Sequence, residues 1–233
     1  MFGLLTSFLI LISWFVAIFL ALTQVHLTGV QDFAKHIWLF FLIDFLYVGI
    51  FIISHDACHG SVVPSSPKVN LWIGRVSAFL YGGFIFDRLK AQHSLHHINS
   101  GHENDPDFHG SKSGDENFFR WITKFTIHYF SIFQFVFLAA VGNVLMHIFK
   151  IPDQNVIYFW IAPSILSALQ LFYFGTYIPH KVKDEDPFAD HHRARNSKTH
   201  WFWSLLTCYH FGGFHRVHHE KPFVPWYRLP NAK

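Results

Sequence analysis

Eight histidines stand in three tight groups: His55 and His59 in HDACH, His93, His96 and His97 in HSLHH, and His215, His218 and His219 in HRVHH. Residues three and four apart share one face of a helix, so each group, if helical, aims its imidazoles in one direction. Imidazole is the commonest metal ligand and binds in its neutral form, which is available at pH 7 because its reference pKa is about 6.5. Eight imidazoles exceed the four positions of one tetrahedral ion. The grouping therefore predicts two metal ions sharing one site. Single histidines in an apolar chain are ordinarily hydrogen-bonded structural residues, and His26, His36, His128 and His147 are read that way.

The elements that must gather these groups belong to an unusually apolar chain. Of its 233 residues 51% are hydrophobic, 19% aromatic and only 14% charged, where a soluble domain carries about 25% charge. This composition predicts a membrane protein and excludes a disordered chain. Two cysteines are too few for a disulfide framework or a thiolate-rich cluster. A net charge of +3 from scattered basic residues argues against a nucleic-acid surface.

A bilayer core about 30 Å thick needs roughly 20 apolar residues in a helix. Windows at 1–23, 36–54, 125–149 and 156–177 meet that demand, the second interrupted only by Asp44 and the last two joined by a polar turn around Pro152. The first window has no charged leading flank and no small-residue cleavage signature, so it reads as a retained helix rather than a signal peptide. Val69 to Phe86 is shorter and contains Arg75, Gly74, Gly82 and Gly83. It reads as a re-entrant or interfacial segment, because a fifth crossing would separate the histidine groups. Trp201 to Phe214 is too short to span.

All but Lys35 and Lys150 of the eighteen Lys and Arg residues fall on one side of these windows. The positive-inside rule then places 55–124 and 178–233 in the cytoplasm. The expectation is an all-α integral membrane protein of one domain, 1–233, with four transmembrane helices, a short re-entrant segment and a cytoplasmic histidine-rich cap. All three histidine groups lie at the same membrane face. A transporter would place ligands within the spans near the midplane, and a two-haem cytochrome would pair isolated histidines on facing helices. Neither suits dense groups at span ends.

Four stretches carry a family resemblance: FLYVGIFIISHDACHG at 45–60, NDPDFHG at 104–110, LQLFYFGTYIPH at 169–180 and CYHFGGFHRVHHEKPFVPWYRLP at 208–230. The histidine boxes resemble those of the membrane-bound di-iron desaturase and hydroxylase superfamily, and the surrounding words are similar to the bacterial-type β-carotene ketolases. The resemblance runs from about Phe45 to Pro230. It implies oxygen-dependent conversion of ring carbon 4 to a ketone by two hydroxylations and a dehydration, taking β-carotene to echinenone and canthaxanthin, or zeaxanthin to astaxanthin. It also implies two non-haem iron ions, O2 as co-substrate, a carotenoid held in the bilayer, and an external electron donor such as reduced ferredoxin. The implied location is a bacterial inner membrane, with the site facing the cytoplasm. His180, on the helix before the last box, matches the place of a ninth ligand in related enzymes.

The residues taken by themselves are consistent with that chemistry. A hydrocarbon C–H bond has no leaving group, so the site must supply an oxidant, and a redox-active metal with O2 can do so. Affinity alone would not select iron, because the Irving–Williams order favours copper and zinc; metal identity rests on the resemblance. No dinucleotide fingerprint or haem-attachment motif is present, so electrons come from outside the chain.

Metal-bound imidazoles commonly donate their second N–H to a carboxylate. Asp56 within the first box, and Asp105, Asp107 and His109 after the second, are read as groups that orient the ligands; His210 and Glu220 beside the third box have the same reading. Thr176, one turn before His180, is a candidate to hold a metal-bound water. Asp44, in mid-span, costs about 2.5 to 3.5 kcal/mol if charged, so it is protonated or paired. Cys58 reads as a packing residue. The segment from Asp184 to Lys198 reads as a solvated loop whose Arg193 and Arg195 face an acidic donor such as ferredoxin. His191 and His192 within it are an extra pair that departs from the family pattern and are left outside the ligand set. Competing readings are a carotenoid ring hydroxylase, a fatty-acyl desaturase or hydroxylase, and a non-catalytic membrane metal transporter or sensor.

Overall fold

The computed structural model describes residues 1–109, 117–183, 188 and 190–232, and among these there are helices and turns but no strand. Helix α1, Phe2–Thr23, buries Gly3, Ser7, Ile10, Trp14, Ala17 and Ala21, a three-and-four spacing that makes one stripe. Phe8, Ile12, Phe15 and Phe19 on its other faces are more than half exposed. Such a surface suits lipid rather than water.

Helix α2, Val30–Cys58, is the central rod. It runs beyond the 36–54 window at both ends, because a helix need not stop where the apolar run does. At its start Asp32 accepts from the Thr28 amide at 3.1 Å and from Lys35 at 2.9 Å, tying the preceding loop to an acidic first turn that suits the helix dipole. At its end it carries His55 and Asp56 in the last turn. Gly49 lets α1 and the Tyr209 ring close on α2, since a Cβ there would lie 2.5 Å from the Tyr209 hydroxyl.

Helix α3, Pro67–Gly82, stops at Gly83, whose φ of 71° is the left-handed conformation that glycine adopts most easily. Helix α4, Phe86–Asn99, leaves at 97° to it. The Val69 to Phe86 stretch is thus half of a sharply bent pair. The bend returns the chain to the end of α2, with Phe86 packed over Gly74 and near Ala57.

The 125–149 window is not one rod, which corrects the sequence reading. Helix α5, Phe118–Tyr129, and helix α6, Ile132–Ile148, meet at 83°. Ser131 and Gln134 form a reciprocal capping box that starts α6 afresh, an N-terminal signature hidden within an apolar run. The Gln134 amide also reaches the Gly82 carbonyl at 3.4 Å, tying this bend to the end of α3.

Helix α7, Asp153–His180, extends the 156–177 window to His180. It contains two widened π turns, closed by Ala162 N–H to the Ile157 carbonyl and Ile178 N–H to the Tyr173 carbonyl. Each lies just before a proline, Pro163 or Pro179. Proline donates no N–H and crowds the carbonyl four residues back, so an extra residue in the turn relieves the helix without ending it. Helix α8, Trp201–Cys208, helix α9, His215–Glu220, and a 3-10 turn at Trp226–Asn231 complete the chain. The largest core cluster joins α1 and α2 to Phe159, Cys208, Tyr209, Phe211 and Leu229. Among the described residues three helices, α1, α2 and α7, are long and apolar enough to cross a membrane, or up to five if each bent pair is counted as one span.

Candidate metal centre

The histidine groups come from four places: the end of α2, the second half of α4, the end of α7 and the whole of α9. Because each group has helical spacing, its rings leave the backbone together. The structure brings all nine imidazoles into one cluster, six of them buried and His59, His93 and His97 half-buried. His55, His59, His93 and His218 form one four-residue set, and His96, His180, His215 and His219 form a second, each with its ligand atoms within 4.8 Å of one another. His97 lies between the sets, with its Nε2 at 3.2 Å from His93 Nε2 and 3.0 Å from His218 Nε2, and its ring stacked on His219.

The contacts inside the cluster are nitrogen to nitrogen. His59 Nε2 is 2.7 Å from His93 Nε2, His180 Nε2 is 2.8 Å from His215 Nε2, and His219 Nε2 is 3.1 Å from His215 Nε2. Neutral imidazoles cannot satisfy so many converging lone pairs from their own protons. A cation with four tetrahedral ligand bonds of about 2.1 Å sets neighbouring donors about 3.4 Å apart, within the spread of each set. The two donor sets therefore fit two metal ions.

Charge argues the same way. Burial, with the charge of His96 as a smaller effect, lowers the His59 pKa to about 4. Burial likewise holds His215, His218 and His219 well below the usual imidazole range. These rings stay neutral and keep a lone pair for a metal.

Some rings are also held from behind. His96 Nδ1 lies 2.8 Å from Asp105 Oδ1, and Asp105 in turn accepts from the amides of Gly101 at 2.8 Å and Asp107 at 2.9 Å. Burial alone would raise the Asp105 pKa, but these hydrogen bonds, led by His96, hold it below the usual carboxylate value. Asp107 lies 3.8 Å from His96 and accepts the Tyr129 hydroxyl; burial leads in pushing its pKa up. His180 Nδ1 donates to the Arg193 carbonyl at 2.9 Å. Asp56 binds the Trp226 amide at 3.1 Å and stands 3.7 Å from His55 Nδ1, beyond hydrogen-bonding distance.

Other candidates lie apart from the cluster. His109 is beside His128, with ring centres 6.5 Å apart, and is in neither ligand set. His191 and His192 lie against each other with ring centres 4.1 Å apart, and His192 is 6.2 Å from His219 between ring centres. His210 lies against Trp226, and Glu220 pairs with Arg216 at 2.8 Å. Asp44 is buried, and its Oδ1 finds no hydrogen-bond partner among the described residues. His36 and His128 have structural bonds, to the Asp32 carbonyl at 2.8 Å and to Gln92 at 2.9 Å.

In the 184–198 segment, residues 184–187 and 189 lie outside those described. Arg193 packs on Gly101, Arg195 donates to the Lys181 carbonyl, and both cations lie over Phe188. The two arginines are built into the fold, whereas the sequence suggested a solvated loop. The contribution of Arg193 through its carbonyl has no signal in the sequence, because any residue offers one.

The cluster closes one end of a mostly apolar, partly open cavity of about 130 Å³. His55, His93, His96 and His215 form its polar end, together with Asp107, Tyr129 and Thr176. Phe51, Ile52, Phe84, Phe125, Leu171 and Phe172 are among its walls. Such a space admits a hydrocarbon and brings it against the imidazoles.

The model of the fatty acid desaturase family matches residues 33–155 and 129–233. The chain belongs to the fatty acid desaturase family. Among curated members, a β-carotene ketolase from a Paracoccus species is 41% identical over 97% of this chain and 91% of its own length. A β-carotene ketolase from Haematococcus lacustris is 38% identical over 83% of this chain and 61% of its own. A zeaxanthin 4-ketolase from Chlamydomonas reinhardtii is 37% identical over 83% of this chain and 43% of its own. No solved structure matches. For a desaturase-family chain, two buried four-imidazole sets able to hold metal are the expected equipment.

Proposed function

We propose that this desaturase-family chain is a carotenoid 4-ketolase, acting on β-carotene and on zeaxanthin. The observation that carries the reading is an apolar cavity ending on two four-imidazole sets. Identity to curated ketolases along nearly the whole chain supports the choice of carotenoid. His55, His59, His93 and His218 would hold one iron, and His96, His180, His215 and His219 the other, with His97 between them. Bound iron would supply the oxidising power, drawn from O2, that a C–H bond demands.

The protein's own part is binding, orientation and exclusion of water. The phenylalanine-rich walls take an end ring of the polyene and hold carbon 4 against the imidazole end of the cavity. Each round inserts one oxygen atom of O2 and releases the other as water, using two protons and two electrons from an external donor such as reduced ferredoxin. A second round at the same carbon gives a geminal diol, and loss of water leaves the ketone. Asp105, and less directly Asp107, would fix His96 from behind, with Asp56 beside His55, while Thr176 would hold a water in the cavity. His109 acts at a greater distance, on the loop that carries Asp105 and Asp107.

The chain is read as one integral membrane domain, with α1, α2, the bent α5–α6 pair and α7 crossing a bacterial inner membrane and the metal cluster facing the cytoplasm. Cells that accumulate β-carotene or zeaxanthin and express the chain test the function. Echinenone with canthaxanthin, or astaxanthin, is the expected product. Zeaxanthin from β-carotene, or altered acyl chains, would identify a hydroxylase or desaturase instead, and bound zinc without oxygen consumption a transporter or sensor.

A further inference from the structure

The two imidazole sets are held in place by different means. His55 and His59 are on the long α2 and His93 is on α4, elements fixed by helix packing under the bent α3–α4 turn. Only His218 in that set comes from the short α9. Every member of the other set is tied to one non-helical strand of chain, Asp190 to Ser197. The Arg193 carbonyl accepts from His180 Nδ1 at 2.9 Å, and the Arg195 amide donates to the Pro179 carbonyl at 3.1 Å. Together these bonds fix the ring of His180 and the backbone beside it.

The same strand fixes α9, which carries His215 and His219. Asn196 Oδ1 accepts from the amides of Arg216 at 2.9 Å and Val217 at 3.3 Å, the open first turn of that helix. The Ser197 amide donates to the Gly213 carbonyl at 3.1 Å, and Asp190 pairs with Arg216 at 2.9 Å. His96 is reached through Gly101. The Arg193 side chain packs so closely there that a Cβ on Gly101 would lie 3.0 Å from Arg193 Nε. The Gly101 amide holds Asp105, and Asp105 holds His96. Arg193 itself has a φ of 45°, a left-handed backbone unusual for a side-chain-bearing residue.

We propose that the Asp190–Ser197 strand is a strap that assembles the His96, His180, His215 and His219 set, with Asn196 and Arg193 as positioning residues. The ion in that set is consequently the exchangeable one of the pair. The inference rests on the two-ion reading above. A six-residue helix has little stability of its own, so α9 depends on the strap for its register. The helix-packed set keeps three of its four imidazoles, and His97 beside them, when the strap loosens.

Metal content of the detergent-solubilised holoprotein tests this, beginning with the unaltered chain. Stepwise chelation is expected to remove the metal in two phases of about one ion each. Asn196→Ala should lower the metal content toward one ion per chain, and whatever fast phase remains should run about tenfold faster, with the slow phase affected less. Asn196→Asp, which keeps the acceptor oxygen, should restore both ions. Asn70→Ala breaks a 2.9 Å bond to the Ala57 carbonyl within the first box and should leave the fast phase unmoved. Loss of both ions in a single phase from the unaltered chain would overturn the proposal even if Asn196→Ala fails to fold. So would an Asn196→Ala protein that keeps both ions at the original rate. An unaltered chain that holds fewer than about two ions would instead defeat the two-ion reading itself.

Discussion

Asp105 is the carboxylate with the most direct hold on the cluster, bonded to His96 and to two backbone amides. Replacing it by Asn keeps the shape and removes the charge that draws the His96 N–H. Loss of such a partner typically costs 10- to 100-fold in metal affinity or activity, so Asp105→Asn should lower both by about that range. Metal analysis together with pigment extraction would measure it. Asp56, which has turned to Trp226, should matter less to the metal.

Acid should act on the same rings. An unfolded histidine takes up a proton near pH 6.5, whereas the folded His59 does so only near about 4 and His215, His218 and His219 are also lowered. The folded state therefore binds fewer protons, and its stability declines as pH falls from about 6.5 toward 4. Thermal midpoint and retained metal should both drop across that window and be nearly level above about pH 7.5. A maximum near pH 5 in either quantity would contradict this account.

At the scale of the element, breaks in regular helix do the placing. Gly83 turns α3 into α4, Ser131 with Gln134 turns α5 into α6, and π turns before Pro163 and Pro179 carry α7 to His180. Gly83→Ala tests the first. Its φ of 71° disfavours a side chain, and the added Cβ would lie 2.9 Å from the Phe137 ring. The turn must then shift α4 and the three histidines it carries. Reduced metal content and a lower thermal midpoint are expected, while Gly60→Ala, which also has positive φ but open space around it, should cost only the backbone strain of about 1 kcal/mol.

For the whole molecule, the metal cluster and the cavity are separable. Leu171 lines the cavity and is not in either imidazole set. Leu171→Trp should fill space needed by a carotenoid ring and reduce ketone formation at least about tenfold, with metal content unchanged, because overpacking strains a site without touching its ligands. Equal loss of metal and product would mean that the cavity wall also supports the cluster. Orientation is a second property of the whole: reporter fusions in the 24–29 and 149–152 loops should register outside the cytoplasm, and a C-terminal fusion inside it. The reverse pattern would remove the cytoplasmic placement of the cluster.

The histidine groups, their helical spacing and the apolar windows that end on them were legible from local pattern, since periodicity and hydropathy are properties of neighbouring residues. That is why eight of the nine rings, the all-helical class and the apolar α1, α2 and α7 were legible in the sequence, whereas His180 rested on the family resemblance. Tertiary structure decided which imidazoles share a set, because His93 and His96 sit three residues apart on one helix yet join different partners. It also decided the break at Phe130 and Ser131, and the inward duty of Arg193 and Asn196. Those depend on backbone carbonyls, amide donors and close approaches between distant segments, and a side-chain alphabet does not encode where a main chain will run.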